Sequence, residues 1–353
     1  MTALRCSAHL HRILILGTVL AASGILSPGN TALAGDPPSE SGEIFAMDTY
    51  MTVSAVGERA KEAVDASLEE IRRLDALWSV GDEDSKVSRL NRHESVELDE
   101  DTSVLLERAL EISADTDRAF DITICPLMEE WGFTSGDFKV PDERRLEELL
   151  EHVDAGKLQY DGEDVFTLPE DMQIDLGGIA KGYASDRIME IFAEHEITAG
   201  LVSLGGNVET YRTKADGSPW RIGIRNPDPS VEALAAAEIT GIVQAADQAV
   251  ITSGGYERYF EEGGITYHHI LDPETGRPAD SGLISVTIVS PDGCLADGLS
   301  TALFVMGRDK ALSYWEGHRD DFDAVLVEED GSITVTSGLE GRFSSDLPFE
   351  VVS

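Results

Sequence analysis

Positive charge is scarce in this chain. Of 353 residues, 27 are Lys or Arg against 67 Asp or Glu, and only seven are Lys, so the formal net charge is −40. Nucleic-acid recognition needs a Lys/Arg footprint on phosphates, and that class of partner is excluded. Cysteine is nearly absent: Cys6 lies in an N-terminal segment of different character, leaving Cys125 and Cys294. Two cysteines make at most one disulfide, or two buried small hydrophobes, and no disulfide framework. No Pro/Ser-rich linker after residue 45 forces a split into domains, and no solenoid-type repeat is present. The composition, with 42% hydrophobic residues and 33 Gly, is that of a chain able to bury a core despite its charge. The acids are spread over all segments, which reads as a solvated surface of one sign.

The apolar run Ile13–Leu26 follows Arg5 and Arg12 and precedes Ala32-Leu33-Ala34, with small residues at the positions a signal peptidase reads. Residues 1–34 are therefore expected to be a signal peptide cleaved after Ala34, and 35–44 a flexible start of the mature chain. The mature charge becomes −42, because Arg5 and Arg12 leave and no acid precedes Asp36. An exported protein is expected, periplasmic or facing the periplasm; an uncleaved signal would attach it to the inner membrane.

Between Glu58 and Trp78 apolar residues recur at three- and four-residue steps, which predicts an amphipathic helix. Further helices are predicted over about 102–115, after Pro141-Asp142, and from near Ile179. Strands are predicted over Gln159–Leu168, with a turn at Asp161-Gly162, and over Trp220–Arg225 and Leu283–Val289. A hairpin is predicted from Asp323–Val327 and Ser332–Val335. Helices and hairpins mixed in this order give α+β rather than a doubly wound parallel sheet.

Three clusters carry chemistry. In Asp175-Leu176-Gly177-Gly178-Ile179-Ala180-Lys181-Gly182, glycines between a strand and a helix let backbone approach a ligand, and N–H donors beside Lys181 suit a phosphate. The spacing matches neither a Walker A loop nor the dinucleotide fingerprint, and a plain strand-to-helix turn explains the glycines equally well. In Ala296-Asp297-Gly298-Leu299-Ser300-Thr301, a helix start would put Asp297 and Thr301 on one face as hard oxygen donors for Mg²⁺. The bland alternative is that Asp297 caps the helix and Thr301 packs. Tyr267-His268-His269-Ile270-Leu271-Asp272-Pro273 places two imidazoles at a strand end; adjacent strand residues face opposite ways, so at most one of them faces a given site. Taken singly, each is more readily structural.

In this order along the chain these clusters resemble the ApbE family, the FAD:protein FMN transferases. The resemblance also rests on Met47-Asp48-Thr49, Asp84-Ser85-Lys86, Ala119-Phe120-Asp121-Ile122-Thr123, Leu204-Gly205-Gly206-Asn207, Pro219-Trp220-Arg221 and Thr252-Ser253-Gly254, and it spans roughly Phe45 to Gly307. It implies one ApbE-like, T-fold-related catalytic unit over 45–353, with mixed antiparallel sheets and packed helices. The activity it implies is Mg²⁺-dependent transfer of FMN from FAD to a Ser or Thr hydroxyl of an acceptor protein, with release of AMP. That acceptor would be a subunit of a membrane redox complex or a secreted reductase. An FAD pyrophosphatase and a non-catalytic flavin-binding protein are the alternatives.

Carried over by position, the resemblance makes His269 the catalytic base and gives Mg²⁺ the Gly178 carbonyl, Asp297 and Thr301, with Ser300 alongside; Asp297 also counts as catalytic. FAD would meet Met47, Ala119, Phe120, Asp121, Asp175, Lys181 and the backbone near Leu271. Two departures stand out. Asp48 occupies a place where the family has Gly, and Gly81 one where a stacking aromatic is common, so that Trp78 or another ring would have to substitute on the isoalloxazine.

Overall fold

The structure, a computed structural model, describes residues 37–158, 160, 165–235 and 237–353. The expected signal segment and the expected Asp161-Gly162 turn lie outside the described residues.

Nine strands form one sheet whose spatial order is their order in the chain. They are β1 (Ser39–Ala46), β2 (Thr49–Val56), β3 (Ala199–Leu204), β4 (Asn207–Tyr211), β5 (Gln248–Gly254), β6 (Leu283–Ser290), β7 (Asp323–Glu328), β8 (Ile333–Thr336) and β9 (Glu350–Val352). Every neighbouring pair is antiparallel except β8 and β9. The expected flexible start is corrected here. From Ser39 onward the chain is strand β1, because eight consecutive residues pair with β2 and the alternation of that pair carries Met51, Val53 and Ala55 into the core.

Period-two alternation sorts the two faces. Ala249, Ile251, Val286, Ile288, Ala324 and Leu326 face the larger core, while Val250, Val289, Val325 and Val327 face the other way. Four helices cover the first face: α1 (Ala60–Trp78), α2 (Glu100–Asp115), α3 (Ala180–Glu194) and α4 (Gly293–Met306). They supply Ile71, Leu74, Leu105, Ile188, Phe192 and Leu303 to the same core. On the second face lies a three-stranded sheet of Trp220–Arg225, Ile239–Ala245 and Phe343–Ser344. A satellite cluster gathers Leu127, Trp131, Leu146 and Leu149 from two short helices, Cys125–Trp131 and Glu143–Leu150, Phe133 from the turn after the first, and Leu271 from the loop after the hairpin Tyr259–His268.

The observed helices reproduce the expected segments, and the α+β class holds with them. Among the described residues of the strand expected over Gln159–Leu168, Val165–Phe166 pair with Val96–Glu97. Cys125 and Cys294 are both buried free thiols, the second of the two alternatives.

Candidate active site

The site is built where α3 and α4 cross. A Cβ on Gly182, the third residue of α3, would lie 2.2 Å from the Gly293 carbonyl oxygen and 2.7 Å from the Asp297 Cβ, so only glycine permits this approach. The closeness brings the Gly182 N–H 2.9 Å from Asp297 Oδ2, and the Asn207 amide donates to Oδ1 at 2.9 Å. Asp297 is 4% exposed, and the Lys181 ammonium stands 3.9 Å from its Oδ2. Each carboxylate oxygen thus keeps acceptor capacity beyond its one N–H donor. Asp297 is not the cap of its own helix. Asp292 is, accepting the Leu295 N–H at 2.7 Å, which places Asp297 one turn inside α4.

Donor counting orients the hydroxyls beside it. Ser300 donates to the Asp297 carbonyl at 2.8 Å, so the 2.7 Å contact between Ser253 and Ser300 has Ser253 as donor. Ser253's proton is then spent, and in its 3.3 Å contact with Thr301 it accepts the Thr301 proton. The Thr301 hydroxyl therefore points its hydrogen into the protein, and its lone pairs are left for a cation. Ser300, expected as part of the metal shell, is fully buried and committed to Asp297 and Ser253; it positions its neighbours.

The first cluster needs a correction. The N–H groups of Ile179 and Ala180 bond the Leu176 carbonyl, and that of Gly182 bonds Asp297, so these donors are already taken. Lys181 donates to the Gly177 carbonyl at 3.2 Å and retains donors for a phosphate oxygen. Gly178 has its own reason to be glycine, because the Phe120 ring would be 3.0 Å from a Cβ there.

The opposite wall carries the imidazole. The Arg258 carbonyl accepts both the His269 backbone N–H, at 3.0 Å, and a bond from Nδ1, at 3.1 Å. A carbonyl only accepts, so Nδ1 bears the proton and Nε2 has its lone pair free. Enclosure by the cleft walls, then the Arg258 guanidinium and His268, lower the His269 pKa to about 3. His268 faces away, with Nε2 3.2 Å from the Ala279 carbonyl and its ring edge on Phe304, so the two imidazoles do part. Asp175 is raised, first by enclosure, although the Gly177 N–H at 2.8 Å and the charges of Arg258 and Lys181 oppose this. Glu257 is pushed up to about 7 by enclosure and by Asp297, against Lys181, while its side chain still reaches solvent. Glu257 is exposed, whereas Asp175 and His269 are half-buried.

Among the remaining expected residues, Met47 and Asp48 form the two-residue turn between β1 and β2, with φ of 47° and 57°. Positive φ at both positions defines a primed turn, which Asp tolerates; this is how Asp48 takes the place of a glycine. The Met47 N–H donates to Asp75, and Asp48 is exposed, 4.0 Å from Arg258. Trp78 is corrected: it is 4% exposed, its indole N–H bonds Thr102 at 3.0 Å, and its ring lies edge-on to Tyr183 at 5.5 Å, so no face is open to a flavin. Asp121 is corrected as well: it is 5% exposed, with Oδ1 held by the Thr123 N–H and hydroxyl and Oδ2 by the Ala155 N–H, so it braces this loop. Phe120 is buried beneath Gly178, Ala119 is partly exposed next to it, and the Leu271 side chain belongs to the satellite cluster.

Sequence reasoning passed over Asn207, Ser253, Glu257 and Arg258 as individual site residues. Asn207 is buried and opens a strand after two glycines with positive φ, a position where a polar residue is itself a signal, and Ser253 is the next-to-last residue of β5.

Hard oxygen donors, two cations and a neutral imidazole around one cleft define a class: an α+β enzyme for an anionic, phosphate-bearing substrate. Residues 47–326 match the ApbE family. A curated FAD:protein FMN transferase of Klebsiella pneumoniae is 34% identical over 289 residues, covering 80% of this chain and 87% of that protein. One of Treponema pallidum is 32% identical over 316 residues, covering 83% and 86%. Among solved structures, an ApbE protein of Thermotoga maritima superposes with a TM-score of 0.79 at 35% identity, covering 87% of this chain and all of that one. The flavinyl transferase ApbE of Pseudomonas stutzeri gives 0.77 at 30%, covering 90% and all of it. The chain belongs to the ApbE family.

Proposed function

We propose that the chain is an FAD:protein FMN transferase: it moves FMN from FAD to a Ser or Thr hydroxyl of an acceptor protein, forms a phosphoester and releases AMP. The observation that carries the reading is the pairing, in one cleft, of an oriented Asp297–Thr301 donor set with an imidazole whose Nε2 is free. Mg²⁺ suits those donors, because it takes few protein oxygens and keeps other positions for water and phosphate. Asp297 and Thr301, with the Gly178 carbonyl, would hold it, and when bound it neutralises charge on the pyrophosphate. Lys181 and Arg258 bring an anionic substrate into a chain that is otherwise strongly acidic. His269 Nε2 takes the proton of the incoming hydroxyl. The oxygen attacks the FMN-side phosphorus, the bond to the bridging oxygen breaks, and AMP leaves with the electron pair, its charge met by Lys181.

The basic, then apolar, then Ala32-Leu33-Ala34 start supports export to the periplasm, where membrane redox-complex subunits and secreted reductases are the acceptor class. The deciding experiment incubates the protein with FAD, Mg²⁺ and an acceptor domain bearing a Ser/Thr flavinylation site, followed by mass measurement. A gain of one FMN is expected. Free FMN with unmodified acceptor would make the protein a hydrolase, and absence of AMP would sink both readings.

A further inference from the structure

The two helices that make the metal site cap each other. Asp297 of α4 accepts the N–H of Gly182 in the first turn of α3. Asp186, one turn further along α3, reaches back to the start of α4, where Oδ1 accepts the Gly293 N–H and Oδ2 the Cys294 N–H, both at 2.8 Å. Each helix N-terminus, the positive end of its dipole, is thereby closed by a carboxylate of the other helix. The contact is tight in both directions. A Cβ on Gly293 would meet Ser185 Oγ at 2.8 Å, Asp186 Oδ1 at 2.9 Å and the Gly182 carbonyl at 2.9 Å. Asp292 caps α4 as well, through Leu295, but it is tied on its outer side to Arg108 and reaches no residue of α3 among the described hydrogen bonds. Asp186 therefore sets the register of α4 against α3, and through that register the position of Asp297.

We infer that Asp186 is a positioning residue for the metal site: it fixes where Asp297 stands without touching substrate or ion. The inference rests on the proposed Mg²⁺ role of Asp297. Residues that orient metal ligands from outside typically change metal affinity about 10–100-fold when replaced. Asp186→Asn keeps one carbonyl oxygen for one of the two N–H groups and turns an NH₂ against the other. Asp186→Ala removes both acceptors.

The test measures three quantities on the full-length protein: Mg²⁺ affinity by calorimetric titration, kcat at saturating Mg²⁺, and hydrogen exchange of the Gly182 amide without metal. For Asp186→Asn a weakening of Mg²⁺ affinity by about tenfold is expected, with kcat largely restored at saturating metal and faster Gly182 exchange. Val325→Ala, a core truncation in β7 remote from the crossing, serves as a stability control and should lower the melting temperature while leaving Mg²⁺ affinity and Gly182 exchange unchanged. A folded Asp186→Asn protein with wild-type Mg²⁺ affinity and wild-type Gly182 exchange would overturn the inference, as would a control that shifts both equally. Absence of any Mg²⁺ response in the wild type would overturn the metal reading itself, and this inference with it. The metal-free exchange data show separately whether the geometric link exists.

Discussion

Gly182→Ala tests the helix crossing most directly. The added Cβ would stand 2.2 Å from the Gly293 oxygen, and real Cβ atoms stay beyond 3.0 Å, so backbone must give by roughly 0.8 Å. The obstacle is a helix carbonyl, which cannot rotate away like a side-chain tip. A shift of that size is enough to break the 2.9 Å bond from the Gly182 N–H to Asp297. Overpacking of a tight core costs about 1–3 kcal/mol. Loss of a hydrogen bond to a charged acceptor adds about 1.5–3 kcal/mol. The better helix propensity of alanine returns about 1 kcal/mol. The net loss of about 2–5 kcal/mol corresponds to a melting temperature lower by roughly 3–8 °C for a domain of this size. The functional effect is distinct, because a displaced Asp297 raises the Mg²⁺ concentration needed for half-maximal FAD turnover. Thermal unfolding paired with a Mg²⁺ titration of turnover reads both quantities. A variant that melts within about a degree of wild type and shows an unchanged Mg²⁺ requirement would refute the claim that glycine here holds the site together.

Further expectations follow from single residues. Asp297→Ala should abolish turnover and also lower stability, because it strands the Gly182 N–H and the Asn207 amide; wild-type turnover with an unchanged Mg²⁺ requirement would dismiss the metal assignment. His269→Gln should slow transfer about 10²–10⁴-fold with FAD affinity nearly unchanged, and a collapse of FAD binding would show that the imidazole binds rather than reacts. Because the free His269 is held near 3, kcat/KM should show no His269-dependent acid limb around the ordinary histidine value of about 6.5; such a limb, lost in His269→Gln, would contradict the influence of the cleft and of Arg258. Glu209 in β4 is 4% exposed, its Oε2 has no hydrogen-bond partner among the described residues, and burial, then Asp186, raises its pKa well above the usual range. Its contribution is complete below the ordinary carboxyl range of about 4 and declines as pH rises through the raised folded value. Urea midpoints should fall from acidic to alkaline pH more steeply in wild type than in Glu209→Gln, and identical slopes would exclude the effect.

What could be read from the chain divides along physical lines. Helices α1 to α3 declared themselves because their buried stripes repeat at three and four residues over several turns. Strand Leu283–Ser290 did so through β-branched residues. Lys181, Asp297, Thr301 and His269 were legible as motif positions. The convergence of Asn207, Ser253 and Arg258 on them was not, since the ends of two strands of the large sheet and the turn before the hairpin Tyr259–His268 come together only after pairing. Trp78 and Asp121 failed as flavin contacts for a shared reason. Residue type predicts what a side chain can do, whereas burial and prior hydrogen bonds decide whether it is available, as the Thr102 bond of Trp78 and the three donors on Asp121 show. Asp297 was misplaced as a possible cap because Asp292, five residues earlier, already fills that role.

The agreement between spatial and chain order in the large sheet has a consequence for how the enzyme comes into being. Growth from β1 toward β9 adds each strand to an edge that already exists, with one demanding step: β2 must find β3 across the long segment that contains α1, α2 and α3. Once that loop is closed, Lys181 and Asn207 stand in place, but α4 follows β6 and arrives afterwards. A chain interrupted after Gly254 would present the first five strands with Lys181 and Asn207, without Arg258, His269 or the Asp297 carboxylate that complete the site. The Asp297–Thr301 donor set is therefore completed late in assembly, after the rest of the site is in place.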